Sequence, residues 1–87
     1  MDQKIIIDLI GYIAVIIGAS MFAPQAIKIW KTKETKGISL LSFSLLALVS
    51  LLWTIYGFLL NAMPVILVNV IVGILSLFIV LMKLKYK

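Results

Sequence analysis

The sequence predicts an all-α membrane protein of three transmembrane helices, and two observations carry that prediction. First, the chain has 87 residues and a composition that is 64% hydrophobic. A soluble domain this short has too little polar surface to cover so apolar a core, whereas in lipid the apolar side chains can face outward. Second, no charged residue occurs over the 19 positions from Leu9 to Ile27 or the 46 positions from Gly37 to Met82. Roughly 20 apolar residues make a helix long enough to cross the hydrocarbon core, so these runs correspond to one span and two spans.

The first helix is expected over about residues 5–30, with Pro24 inside it. A basic segment follows, from Lys28 through Lys31, Lys33 and Lys36 to Gly37, which is expected to turn the chain. Ser39 is placed to cap a second helix over about residues 39–60. Asn61, Ala62 and Met63 form a tight connection, and Pro64 suits the first turn of a third helix over about residues 64–83. A single domain over residues 1–87 follows, with no linker or low-complexity tract. The first apolar run is longer than the core of a signal peptide, and its flank mixes Asp2, Lys4 and Asp8, so cleavage is not expected.

With three spans, the first loop and the C-terminal tail share a side. That side carries Lys28, Lys31, Lys33, Lys36, Lys83, Lys85 and Lys87 against Glu34 alone, while the other has only Lys4 with two acids. The positive-inside rule then puts the C-terminus in the cytosol and the N-terminus outside.

The +5 net charge does not suggest nucleic-acid binding, because the lysines cluster at the ends of apolar runs, where they meet anionic head groups. Cysteine and histidine are both absent, which leaves no disulfide framework, thiolate nucleophile, imidazole base or zinc cluster. No enzyme activity, metal or cofactor is expected.

Polar and helix-breaking residues inside the spans carry the functional reading, since each needs a partner. Pro24 removes a backbone hydrogen bond and leaves the Ser20 carbonyl without its donor, which makes it either a static kink or a hinge. Asn69, Gly73 and Ser76 lie on one face of the third helix. They suit a helix–helix contact, or they let the Asn69 amide face an aqueous cavity and bind a solute. Trp53 and Tyr56 share a face of the second helix. Tyr56 fits an interfacial aromatic belt, while Trp53 lies deeper, near the expected depth of Asn69. An indole face packs against sugar C–H groups and an amide serves hydroxyls. Met21, Phe22 and Phe43 are expected to pack, with a hydrophobic gate as the alternative. Asp8 is the one acid within a span, so no proton relay is visible, and passive movement of a solute is favoured over pumping. Three helices do not readily enclose a pathway, so transport would need at least two copies.

Taken together, these residues resemble the SemiSWEET family, bacterial three-helix relatives of the SWEET sugar transporters. Pro24-Gln25 is similar to the motif that names the PQ-loop superfamily. The stretch Lys28-Ile29-Trp30-Lys31-Thr32 with Gly37-Ile38-Ser39, then Trp53-x2-Tyr56-Gly57 and Pro64-x4-Asn69-x3-Gly73, complete the pattern in order. The resemblance implies a multi-pass protein of the cell inner membrane that forms a parallel homodimer of triple-helix bundles, with the third helix packed between the first two. It implies facilitated, alternating-access transport of a small neutral mono- or disaccharide, of the glucose or sucrose class. Trp53 and Asn69 would line the sugar pocket, Pro24 and Gln25 would form a hinge, and Tyr56 and Phe43 would act as gates. Some relatives place an arginine shortly after the tyrosine. Here Gly57, Phe58, Leu59 and Leu60 follow instead, so an ionic latch is not expected. Two alternatives remain: proton-coupled transport of another small solute, and a non-transporting membrane subunit.

Overall fold

The computed structural model describes residues 2–86 and consists of three helices, α1 (Gln3–Thr32), α2 (Leu40–Leu59) and α3 (Met63–Lys85). All three are long and apolar enough to cross a membrane. This is a multi-pass membrane protein.

The ends of each helix have local causes. The Asp2 carboxylate accepts from the Lys4 amide at 3.4 Å and starts α1, which extends beyond the apolar run at both ends. It stops at Lys33, whose left-handed backbone (φ 60°) turns its amide back onto the Ile29 carbonyl at 2.8 Å. Gly37 then turns the chain as expected, the Ile38 amide donating to the Thr35 carbonyl at 3.2 Å, although its φ is not positive. The Ser39 hydroxyl accepts from the Ser42 amide at 3.1 Å and caps α2. After α2, Asn61 takes φ 55°, a conformation that asparagine tolerates better than most residues. Pro64 then occupies the first turn of α3, where its missing N–H costs nothing. Lys83 and Lys85 lie in the last turn of α3, complementing its negative end.

The helices form a thin layer, with overall extents of 49 × 22 × 14 Å. α3 is central. It contacts α1 and α2, and among the described residues α1 and α2 do not contact each other. Close approach is achieved with small residues, as expected where helices associate by packing rather than by exclusion from water. A Cβ placed on Gly11 of α1 would lie 2.6 Å from the Cβ of Pro64. One placed on Gly57 of α2 would lie 2.9 Å from the Ile66 side chain and 3.2 Å from its backbone nitrogen. Gly73 of α3 faces Ser50 of α2 in the same way, at 3.3 Å. α3 is thus parallel to α1 and antiparallel to α2.

At the lysine-rich end the three helices and the α1–α2 loop are joined. Ile29, Ile79 and Met82 form a buried cluster, flanked by Ile38, Phe43, Phe78 and Tyr86. Thr35 is 1% exposed; its hydroxyl donates to the Tyr86 carbonyl at 3.0 Å. The Lys83 ammonium donates to the Thr35 carbonyl at 2.8 Å. Elsewhere most large apolar side chains are exposed, Ile16 and Leu59 among them, as a lipid-facing or chain-facing surface requires.

Candidate functional site

The α2–α3 pairing fixes the depth of the polar residues. Gly57 lies against Val65 and Ile66, and Ser50 against Gly73. These two contacts bracket Trp53 and Asn69, which therefore sit at one level, well inside the spans. Trp53 and Tyr56 form an edge-to-face pair with ring centroids 5.2 Å apart, a geometry that favours both rings. Both are about half-exposed, and with Val49 and Leu52 they line a shallow open groove.

Asn69 is half-buried, and its side-chain nitrogen donates to the Val65 carbonyl at 2.8 Å. That is the one hydrogen bond its side chain makes among the described residues. An amide offers two donors and an acceptor carbonyl, so its oxygen and second N–H remain free for a solute. Asn69 lines a groove of about 440 Å³ between α2 and α3, together with Thr54, Leu51, Gly73 and Ile74. Within one chain, then, Trp53 and Asn69 share a depth but open into separate grooves.

The small polar stripe on α3 divides by depth. Gly73 abuts Ser50 and also lines Asn69's groove, while Ser76 is fully buried, its hydroxyl without a partner among the described residues. Asn69, at the stripe's outer end, keeps access to the groove. Thr54 was not singled out from the sequence. Its hydroxyl donates to the Ser50 carbonyl at 2.7 Å, and only the α2–α3 register brings it to Asn69's groove.

Pro24 lies within a continuous α1, on the exposed side of the helix. One turn earlier, the Ser20 hydroxyl donates to the Ile16 carbonyl at 2.8 Å. Back-bonding of this kind bends helices, and the Ser20 carbonyl faces a proline that has no N–H. Both features fall on one face of α1, four residues apart. Gln25 is exposed and lines a polar cavity at the lysine-rich end. Phe43 packs against the Ile29–Ile79–Met82 cluster, and Phe22 is half-buried while Met21 is exposed. Asp8 pairs with Lys4 at 3.6 Å near the opposite end of α1.

A membrane layer of three helices, with an aromatic pair and an underused amide in the outer part of the spans, defines a small polytopic protein suited to meeting a polar solute. The family model "PQ loop repeat" matches residues 6–66. A sugar transporter SemiSWEET of Leptospira biflexa is 38% identical over 92% of this chain and 89% of its own length. One of Bradyrhizobium diazoefficiens is 40% identical over 93% and 94%. The crystal structure of a bacterial homologue of SWEET transporters superposes with a TM-score of 0.86 at 44% identity, covering 94% of this chain and 99% of the other. The chain belongs to the SemiSWEET family of PQ-loop proteins, a family of sugar transporters and not of enzymes.

Proposed function

We propose that this chain is a sugar facilitator that works as a parallel homodimer in the cell inner membrane, with its C-terminus in the cytosol. The observation that carries the reading is the common depth of Trp53 and Asn69, a half-exposed indole and an amide that spends one N–H on its own helix, about two turns inside the outer helix ends. The names of the two curated relatives support sugar as the cargo class. Each chain leaves both grooves open, so a second copy is needed to close a pathway around a small neutral mono- or disaccharide. Trp53 stacks on the sugar, and Asn69 exchanges hydrogen bonds with its hydroxyls.

Alternating access needs outward- and inward-open states within a few kcal/mol of each other. Pro24, with Ser20 a turn earlier and Gln25 beside it, supplies the compliant point in α1. Tyr56 narrows the outer end. Phe43, packed at the lysine-rich end, can act as an inner constriction only if the cluster around it loosens.

The test is entry of labelled glucose and sucrose into liposomes containing the purified dimer. Downhill entry of either sugar, unaffected by collapse of a proton gradient, is expected. Entry that requires a proton gradient would move the chain to a coupled transporter of another kind. Liposomes that stay sugar-tight with verified dimer would remove the facilitator reading.

A further inference from the structure

At the lysine-rich end a polar cavity of about 330 Å³ lies between the last turns of α1 and the α1–α2 loop, and of the residues given a role in transport only Gln25 lines it. Lys28 reaches it from α1 and Lys36 from the loop, with Gln25, Thr32, Glu34 and Ile38 completing its wall. We propose that this cavity binds a phosphate monoanion, such as the phosphodiester of an anionic phospholipid head group.

The lysines of this end have different roles. Lys33 donates to the Trp30 carbonyl and Lys83 to the Thr35 carbonyl, so both ammonium groups are engaged with backbone. The ammonium groups of Lys28 and Lys36 make no ion pair or hydrogen bond among the described residues, although Glu34 shares their cavity. Three carbonyls near the end of α1, those of Lys28, Ile29 and Trp30, already accept from the chain's own donors, and the two ammonium groups must outweigh the negative helix end that remains. The Thr32 hydroxyl donates to the Lys28 carbonyl at 2.8 Å, and the Lys33 amide covers that of Ile29. Two ammonium groups against one carboxylate leave a single net positive charge, which matches a phosphodiester better than a dianion. The Gln25 amide, also without a partner among the described residues, adds neutral donors.

Depth favours a lipid as the source of the phosphate. Lys28 is the first charge after the uncharged run from Leu9 to Ile27, so the cavity opens where hydrocarbon gives way to head groups. Basic pockets at this level between membrane helices suit phosphate head groups.

The test is native mass spectrometry of the purified protein titrated with phosphatidylglycerol, with phosphatidylcholine, and with inorganic phosphate. The wild type is expected to retain phosphatidylglycerol over phosphatidylcholine. The double variant K28Q/K36Q should weaken that binding by about tenfold or more, because it removes both charge-assisted hydrogen-bond donors that line the cavity. K31Q/K85Q removes the same charge from outside the cavity and should weaken binding less than about twofold. Displacement of phosphatidylglycerol by millimolar phosphate would keep the site and make a free anion its ligand. Equal losses in the two double variants, or no lipid preference in the wild type, would overturn the proposal by reducing it to diffuse attraction. Lys28 and Lys36 are exposed, so thermal melting of the variants should match the wild type and confirm that they fold.

Discussion

The Lys83 ammonium donates to the Thr35 carbonyl at 2.8 Å, while the Thr35 hydroxyl donates to the carbonyl of Tyr86, three residues beyond Lys83. The first loop is thereby fastened to the end of α3. Because Ile29 of α1 packs on Ile79 and Met82 at the same level, α1's last turns, the loop and α3's last turns form one block. Any rocking of α1 about Pro24 must either carry this block along or break it.

Replacing Thr35 with Val keeps its shape but leaves the Tyr86 carbonyl without a donor. The expected cost is about 1 kcal/mol. Faster hydrogen exchange across residues 33–39, at nearly unchanged exchange in mid-span α2, is the check. Unchanged loop exchange would show that the clasp is not held in the membrane.

Gly57→Leu should be severely disruptive, because even a single carbon there meets Ile66 backbone and side chain at 3.2 Å and 2.9 Å. Overpacking typically costs about 1–3 kcal/mol, read as a lower melting temperature in detergent. Gly37→Ala is the control. It has nothing within 4 Å of the added carbon and no positive φ, so melting should stay within about 0.5 kcal/mol of wild type.

Pro24→Ala restores the amide donor for the Ser20 carbonyl. The bundle should become more stable, by about 1–3 kcal/mol, since an interior proline costs a helix that much. If α1 bends here during transport, sugar entry should fall severalfold while sugar binding persists. Faster entry in the stiffer protein would remove Pro24 from the hinge role.

Asp8 is half-exposed and, among the described residues, pairs with Lys4 at i,i+4, the kind of contact that contributes little. Asp8→Asn should leave sugar entry and its indifference to a proton gradient unchanged. A loss of gradient dependence in this variant, had the wild type shown any, would point to coupled transport.

Much of this was legible in the sequence, for reasons that differ by residue. The spans follow from uncharged runs, and Ser39 and Pro64 mark helix starts because capping and N1 chemistry are local. The end of α1 was legible to within two residues, about residue 30 against Thr32, and so was the turn at Gly37; that Lys33 takes the left-handed conformation onto the Ile29 carbonyl was not. The divided stripe of α3 needed the tertiary packing: nothing local distinguishes Ser76, fully buried, from Asn69 and Gly73, which line the groove. Likewise the clasp joins residues 48 and 51 positions apart, beyond the reach of any local pattern. Nor does local sequence show that Trp53 and Asn69 open into separate grooves of one chain.

The most direct test of the central claim, that Asn69 and Trp53 line a sugar pathway, is labelled-sugar entry into liposomes by Asn69→Ala beside the wild type. Asn69 is half-buried and bonded only to its own helix, so the variant should remain a folded dimer with near-normal melting. The account predicts downhill entry by the wild type and its loss in Asn69→Ala, with the same result for Trp53→Ala. Undiminished entry in both variants would contradict it and place the pathway elsewhere in the molecule.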